Sequence, residues 1–234
     1  MANDYFRFKR FTIHQSRCGM KVGTDGTLLG AWAHGGDTIL DIGTGTGLIA
    51  LMMAQRFPQA SITGVDVDEA ACLQARENVA DSPFSANIIH QNVMDVSGTF
   101  DAVVSNPPYF NHSLESPDSQ RTMARHTSSL SYRQLMESAW RLLDEHWEFS
   151  VVIPTEGKKE MESAAALTGF FKVRECAVKT TPSKMPRRYL MAFRKHPEAQ
   201  LEVEEGIIEV CPKKRSEWYQ RLTKEFYLDE GELA

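Results

Sequence analysis

The chain has 234 residues, 42% hydrophobic and 24% charged, which is typical of a globular domain and excludes a disordered or collagen-like protein. Its formal net charge is −5, which argues against a protein that coats nucleic acid through bulk positive charge. No apolar run is long enough for a membrane span, and residues 1–11 lack the apolar segment and cleavage site of a secretion signal. We therefore expect no association with a membrane.

Short apolar runs alternate with helical segments along most of the chain. Residues 1–20 interleave aromatic and basic side chains, which predicts a short strand or hairpin, and segment 28–33 predicts a short helix. The alternation that follows indicates a largely parallel sheet with helices on both faces, and two final strands without a helix between them indicate an antiparallel edge. The predicted core strands are 38–42, 61–65, 87–91, 101–105, 149–153, 172–179 and 188–195, and the predicted helices are 48–57, 69–79, 132–144, 158–168 and 216–226.

The motif Asp41-Ile42-Gly43-Thr44-Gly45-Thr46-Gly47 follows the first core strand and precedes a helix. Its glycines stand at every second position, unlike the Gly-x-Gly-x-x-Gly spacing that seats a pyrophosphate. The leading carboxylate would repel a pyrophosphate but suits a ligand that carries a positive amino or sulfonium group. The motif resembles motif I of the class I methyltransferases, which implies S-adenosylmethionine (SAM) as cofactor and S-adenosylhomocysteine as product. The residues predicted to bind it here are Asp41, Gly43, Thr44, Gly45 and Gly47.

Two further carboxylates follow later strands. Asp66, with Val67 beside it, ends the second core strand 19 residues after Gly47, where an acid accepts hydrogen bonds from ribose hydroxyls. Asp95 follows the third core strand, at a position that suits the adenine amino group of the cofactor. Alternatively, Asp95 is a turn residue before Gly98. We predict that Asp66, Val67 and Asp95 bind the cofactor.

The motif Asn106-Pro107-Pro108-Tyr109 directly follows the fourth core strand, at the edge where open α/β sheets bind ligands. It resembles the Asp/Asn-Pro-Pro-Tyr/Phe motif of methyltransferases that modify a planar nitrogen in adenine, cytosine or glutamine. The lone pair of such a nitrogen is delocalised, and carbonyl groups of Asn106 and Pro107 that accept its N–H protons would make it more nucleophilic. The prolines stiffen the turn, and Tyr109 would stack on a planar base. We predict that these four residues are catalytic and that Asn106 also contacts the cofactor.

The flanking sequence narrows the resemblance. Segment 21–26 (Lys-Val-Gly-Thr-Asp-Gly), segment 28–33, the Asn-Pro-Pro-Tyr-Phe motif and the terminal Glu-Phe-Tyr-Leu together resemble the bacterial tRNA1(Val) (adenine(37)-N6)-methyltransferases. The resemblance spans nearly the whole chain. It implies a cytoplasmic, SAM-dependent enzyme with a seven-stranded, Rossmann-like class I methyltransferase fold. It also implies that adenine 37 of a tRNA is methylated on N6, and that Thr24 and Asp25 close over the cofactor.

The resemblance implies a single methyltransferase domain over residues 1–234. Its parts are an N-terminal strand or hairpin and helix at 1–35, a SAM-binding catalytic core at 36–196 and a C-terminal extension at 197–234. We expect a monomer without an obligate protein partner. Residues 110–129 form a long polar loop, and a loop of that length in a compact domain is usually functional.

The charge is unevenly distributed along the chain. Residues 170–196 contain eight Lys or Arg and one acidic residue, which gives a charge of +7. Residues 1–21 contain five Lys or Arg and one acidic residue, which gives a charge of +4. These segments are candidates for contact with RNA phosphates around a flipped base, although a solvated face would look the same. Segment 213–215 (Lys-Lys-Arg) is more ambiguous and is explained equally by a patch beside a helix. The predicted substrate-binding residues are Arg121, Arg125, His126, Lys184, Arg187 and Arg188.

Other functions share parts of this pattern. A glutamine N5-methyltransferase acting on a translation factor has the same catalytic motif but usually carries a separate N-terminal helical domain. N6-adenine methylation of DNA or rRNA is a second alternative, and a non-catalytic SAM-binding or RNA-binding module is a third, against which the intact catalytic motif argues. His112 and His126 have no clustered partner ligands, so we predict no metal site.

Overall fold

The computed structural model describes residues 4–18, 21–108 and 130–228. Six α-helices lie in this part of the chain: α1 (Thr24–Trp32), α2 (Leu48–Arg56), α3 (Glu69–Ala80), α4 (Tyr132–Leu142), α5 (Lys158–Thr168) and α6 (Glu217–Thr223). The strands are β1 (Tyr5–Arg7), β2 (Thr12–His14), β3 (Thr38–Ile42), β4 (Ser61–Asp66), β5 (Asn87–His90), β6 (Phe100–Ser105), β7 (Leu143–Pro154), β8 (Phe171–Lys179), β9 (Arg188–Arg194), β10 (Glu202–Ile207), β11 (Glu209–Cys211) and β12 (Lys214–Arg215). None of the described helices is long and apolar enough to cross a bilayer.

The central sheet has the strand order β10-β8-β9-β7-β6-β3-β4-β5. All seven predicted core strands form, and β10 adds an eighth that pairs parallel to β8. Strand β9 is antiparallel to both β7 and β8, while the other neighbours are parallel. The antiparallel strand therefore lies inside the sheet rather than at its edge, because β8 and β10 are placed outside it. The sequence pattern does not predict β10, because four of its six residues are exposed and three of those are glutamates.

Side chains of the sheet alternate between two cores, as the period-2 geometry of strands requires. On one face, Leu40, Val103 and Phe149 pack with helices α4 and α5. On the other face, Ile39, Ala102 and Val152 pack with α1, α2 and α6. The parallel strands β3, β4, β5 and β6 are covered on both faces and end at one common edge. The loops that follow these four strands are therefore brought together.

A buried asparagine attaches the N-terminal hairpin to this framework. Asn78 on α3 is fully buried; its Oδ1 accepts a hydrogen bond from the His14 backbone N–H at 2.8 Å, and its Nδ2 donates to the His14 carbonyl at 2.9 Å. The same Nδ2 donates to the carbonyl of Thr46 at 2.8 Å. One side chain thus pairs with strand β2 as another strand would, and also holds the glycine-rich loop after β3.

We expect the substitution Asn78→Ala to lower the free energy of unfolding by about 3 kcal/mol, because one buried and two partly buried backbone groups lose their partner. Urea denaturation of the variant and of the wild type measures this difference. Leu73→Ala on the same helix is the matched control, because Leu73 is 45% exposed and its truncation should cost under about 1 kcal/mol. Equal losses in the two variants would contradict the structural role given to Asn78.

Candidate active site

A cleft of ≈ 1140 Å³ opens at the carboxyl edge of the sheet. Its volume is sufficient for a nucleoside-sized ligand with a second group beside it. The loops after β3, β4, β5 and β6 form its floor, and the segment leading into α1 forms one wall. The lining comprises residues 21–26, 42–46, 65–68, 91–94, 105–108 and 130–131, together with Cys18, Leu48, Ile49, Ala71, Gln134 and Arg188.

The glycine-rich loop after β3 turns through left-handed backbone conformations. Gly43, Gly45 and Gly47 have φ values of 72°, 55° and 79°, a region that residues with a Cβ rarely adopt. A Cβ on Gly47 would also lie 3.2 Å from the Cβ of Ala75 on α3. The backbone N–H groups of Gly43 and Thr44 donate to the carbonyl of Val65 at 2.8 and 3.0 Å, which fastens the loop to β4. Gly43 and Gly45 line the cleft, whereas Gly47, which the motif also predicts to bind the cofactor, lies outside the lining and caps the start of α2.

Asp41 lies beneath the loop and not in the lining of the cleft. Its side chain is fully buried, and Oδ2 accepts hydrogen bonds from the Thr44 hydroxyl at 2.7 Å and the Ala50 backbone N–H at 3.2 Å. Oδ1 has no hydrogen-bond partner among the described residues. Burial raises the pKa of Asp41 to about 7, which the hydrogen bonds from Thr44 and Ala50 only partly offset. The structure therefore makes Asp41 a support of the loop, whereas the sequence motif predicts that it contacts the cofactor.

Asp66 lies in the lining at the end of β4, as predicted. Its Oδ2 accepts a hydrogen bond from the Gly45 backbone N–H at 2.9 Å, and its Oδ1 accepts one from the Asp68 N–H at 3.0 Å. Each carboxylate oxygen retains a further lone pair for a ligand hydroxyl. Val67 follows with 54% of its side chain exposed in the cleft. Asp68 caps α3 through the backbone N–H of Ala70.

Asp95 is the second predicted cofactor residue that the structure does not bring into the cleft. It ends a 3-10 turn over Val93–Asp95 with its side chain exposed, while residues 91–94 contribute to the lining. Val93, the first residue of the turn, packs into the core and borders the cleft, whereas Asp95 at the end of the turn lies outside the lining. Within the lining, Met94 is 48% exposed and forms an apolar surface together with Val67. The sequence does not single out Asn92 and Met94, because neither residue type signals a binding site.

The proline-rich motif reaches the cleft at the end of β6. Ser105 donates a hydrogen bond from its hydroxyl to the carbonyl of Ile42 at 2.9 Å, so the ends of β6 and β3 are tied together. Asn106, Pro107 and Pro108 follow in the lining, beside the glycine-rich loop. Asn106 Oδ1 is buried and has no hydrogen-bond partner among the described residues. Tyr109 lies outside the described residues.

The start of α1 closes the side of the cleft. Thr24 and Asp25, predicted to cover the cofactor, form the first turn of α1 and line the cleft. The Asp25 carboxylate forms an ion pair with Arg188 at the start of β9. Arg188, which the sequence analysis predicts to bind the substrate, lines the cleft, and this ion pair also makes it a bridge between α1 and β9. Gly26 lies close to Asn106, since a Cβ there would be 3.9 Å from Asn106 Nδ2.

The remaining predicted substrate residues divide into two groups. Lys184 and Arg187 are exposed in the loop between β8 and β9, next to Arg188 but outside the lining. Arg121, Arg125 and His126 lie outside the described residues. The described part of the chain contains no group of three or more His, Cys, Asp or Glu that could hold a metal ion.

Comparison with known proteins identifies the family. A model described as "Methyltransferase small domain" matches residues 26–181. A tRNA1(Val) (adenine(37)-N6)-methyltransferase of Bacteroides thetaiotaomicron is 46% identical, covering 97% of this chain and 99% of the relative. Proteins of the same name from Phocaeicola vulgatus and Pseudoalteromonas translucida are 47% and 42% identical and cover 98% and 95% of this chain. The chain belongs to the tRNA1(Val) (adenine(37)-N6)-methyltransferase family.

The fold agrees with this family membership. The crystal structure of a predicted O-methyltransferase from Agrobacterium tumefaciens superimposes with a TM-score of 0.67 at 18% sequence identity, covering 86% of this chain and 96% of that one. A methyltransferase from Pyrococcus furiosus gives a TM-score of 0.54 at 22% identity, covering 73% of this chain and 80% of that one. The fold is that of the class I SAM-dependent methyltransferases, here with an eighth strand at one edge.

The cleft fits the cofactor that the family implies. The left-handed glycine turn removes side chains where a ligand would meet backbone, and Asp66 offers acceptors for ribose hydroxyls. Val67 and Met94 present apolar surface suitable for the two faces of an adenine ring. Asp66 places negative charge in the cleft beside a ligand that carries a sulfonium and an ammonium group, which an electropositive site would repel.

The raised pKa of Asp41 predicts a pH-dependent cost to stability. In the unfolded chain this carboxyl ionises near pH 4, whereas in the fold it keeps its proton up to about pH 7. The contribution of Asp41 to the free energy of unfolding therefore falls as pH rises from about 4 to about 7, by about 1.4 kcal/mol per pH unit. Above that range the contribution is constant. We expect Asp41→Asn to remove this dependence, so that the variant gains stability relative to the wild type across that range.

Urea unfolding of cofactor-free protein at about pH 5 and about pH 8 tests this expectation. Asp81→Asn, which changes an exposed carboxyl at the end of α3, is the matched control and should follow the wild-type profile. Parallel pH profiles for Asp41→Asn and the wild type would mean that Asp41 does not titrate in this window.

Proposed function

We propose that this protein transfers a methyl group from SAM to N6 of adenine 37 in tRNA1(Val). The relatives that support this substrate carry it in their names and match the chain over nearly its full length. The observation that carries the proposed chemistry is the position of Asn106. Its unpaired, buried Oδ1 lies in the same cleft as the glycine-rich loop and Asp66, so the methyl acceptor and the cofactor would meet there.

The backbone that carries the two proposed acceptors is restrained before the base binds. Ser105 and Ile42 hold the end of β6, and two consecutive prolines restrict the backbone after Asn106. The Asn106 side-chain carbonyl and the Pro107 backbone carbonyl would accept the two N–H protons of the adenine amine. These hydrogen bonds stabilise the positive charge that develops on nitrogen during transfer, and preformed acceptors require no reorganisation at that moment.

The cofactor supplies an electrophilic methyl group on a sulfonium when bound. The glycine-rich loop, Asp66, Val67 and residues 92–94 would hold its nucleoside portion, and Thr24 with Asp25 would cover it. The target adenine would leave its stack to reach Asn106, since N6 is otherwise paired or stacked within RNA. Tyr109 remains a prediction as the stacking partner. We propose further that the enzyme acts in the cytoplasm, where its tRNA substrate is found. We also propose that it acts as a monomer, because the described residues of one chain form the whole cleft.

The substitution Asn106→Ala tests the catalytic assignment. We expect kcat to fall by about 100-fold or more, because an acceptor used in the transition state is lost, while SAM affinity changes little. Turnover with labelled SAM measures the first quantity and isothermal titration calorimetry the second. Asn87→Ala, an exposed asparagine at the other end of the sheet, is the matched control. Loss of SAM affinity with turnover retained would refute the assigned role.

The substrate itself is tested by labelling. We expect the purified protein and labelled SAM to place the methyl group in total tRNA, at N6 of adenine 37 in tRNA1(Val), as mapped by mass spectrometry. Parallel reactions with rRNA, genomic DNA and translation release factors cover the other planar-nitrogen substrates. Label in protein glutamine or in DNA, with none in tRNA, would overturn the proposal.

A further inference from the structure

The positive charge of segment 170–196 is mostly neutralised within the protein. Six of its eight basic side chains form ion pairs with acids: Lys172 with Glu162 and Glu175, Arg174 with Glu148, Lys179 with Glu205, Arg188 with Asp25, Arg194 with Glu198, and Lys195 with Glu145. Glu148 and Glu175 are 2% and 8% exposed, so these pairs belong largely to the framework. Only Lys184 and Arg187 remain exposed and form no ion pair with a described residue. The charge available to a partner is therefore far smaller and more localised than the sequence suggests.

A second pair of cations lies in the hairpin β11–β12. Lys213 and Lys214 are exposed, and neither forms an ion pair with a described residue. Lys213 has a φ of 68° and is the one non-glycine residue of the described chain in the left-handed region. Pro212 precedes it, and glycine is the residue that this place in such a turn favours. Lysine occupies this position in spite of the conformational cost, and such strained positions are often functional.

The fold places the loop and the hairpin that carry these cations side by side at one edge of the sheet. Strands β8 and β10 are parallel, so the 180–187 loop and the β11–β12 hairpin both leave the sheet at the edge that holds the cleft. The backbone N–H groups of Ile208 and Glu209 donate to the carbonyls of Lys179 and Thr180 at 3.0 and 2.9 Å. The hairpin thus starts directly beside the loop, and the loop ends at Arg188 in the lining of the cleft. We call Lys184, Arg187, Lys213 and Lys214 the edge patch.

The distance from the catalytic motif limits what the edge patch would contact. Four strand spacings separate β6 from β10 in the sheet. At about 4.8 Å each, the hairpin lies on the order of 19 Å from Asn106. That exceeds the reach of one flipped nucleotide, so a bound RNA would meet the edge patch with backbone several nucleotides from the target. Met185, 81% exposed between the two loop cations, adds an apolar side chain suitable for a ribose or base face.

We propose that the edge patch binds the phosphates of the RNA stem that adjoins the loop holding the target adenine. The inference rests on the proposed function and names how the RNA is held outside the cleft. Flexible lysines without internal partners suit phosphate contacts, which position the RNA without reading its sequence. Two acids lie near these segments, since Glu209 bonds through its backbone N–H to Thr180 and Glu156 follows Thr155, whose N–H donates to the Arg187 carbonyl; the four cations outnumber them. Four cations concentrated at one edge of the sheet would allow a chain with a net charge of −5 to bind a polyanion.

The double variant Lys213→Gly/Lys214→Ala tests the proposal. Glycine relieves the left-handed conformation at position 213, so the variant should fold at least as well as the wild type. We expect its affinity for tRNA to fall by about three- to tenfold at moderate salt, and the slope of log K against log salt to flatten by about 1 to 2. SAM affinity and kcat at saturating tRNA should be unchanged, so the loss appears in KM.

Two controls accompany this variant. Arg221→Ala/Lys224→Ala removes the same charge from exposed positions at the end of α6, which adjoin the ends of α1 and α2 and lie outside the lining of the cleft, and should leave tRNA affinity within about twofold. Lys213→Arg/Lys214→Arg keeps the charge at the same backbone cost and should bind as the wild type does.

The outcomes separate this inference from the proposed function. If the wild type methylates tRNA but the edge-patch variant binds it with unchanged affinity and salt slope, the edge patch does not hold the stem and the inference is wrong. The inference is equally wrong if the Arg221/Lys224 control loses as much affinity, because net charge alone would then be responsible. If the wild type does not methylate tRNA at all, the proposed function fails first.

Discussion

One buried carboxylate holds the turn on which the cleft depends. Asp41 lies next to the last residue of β3 and binds both the Thr44 hydroxyl and the first turn of α2, at the cost of burying an acid. The loop that it supports takes three left-handed glycine conformations and places the Gly45 N–H against Asp66. Because β3 lies between β4 and β6, this turn also sets the distance from the nucleoside side of the cleft to Asn106. Supports of this kind are costly individually, but they allow the lining to be preorganised.

The charges illustrate how a fold redistributes what a sequence contains. The net charge of −5 conceals two basic segments of the sequence. Most cations of segment 170–196 nevertheless pair with acids from neighbouring strands and helices. Buried pairs of this type contribute little net stability, while breaking one partner is costly. The positive charge that remains available to a binding partner is a small set of side chains at one edge of the sheet, the edge patch. These side chains form no ion pair with a described residue. Such a surface favours release after one reaction over tight, non-specific coating of nucleic acid.

The sequence predicted all seven core strands and the helices between them, because alternating apolar runs and glycine or proline boundaries are local signals. It did not predict β10, whose residues are mainly exposed, or the inward position of β9, since strand order depends on contacts between distant segments. The same limit applies to the site. Asp66 and Asn106 were located by their motifs, whereas Asp95 follows the correct strand and still lies outside the cleft.

The sequence by itself identified the family and predicted the chemistry: a glycine turn for SAM, an acid for its ribose and an Asn-Pro-Pro acceptor for a planar nitrogen, each encoded in a few adjacent residues. Only the tertiary structure decided which charged groups face a ligand. In the fold, Asp41 is a buried support of the glycine-rich loop, and Arg188 pairs with Asp25. The hairpin that carries Lys213 and Lys214 lies beside the 180–187 loop. The reason is physical. Backbone motifs are local, whereas the partner of a charge is selected by packing between strands far apart in sequence.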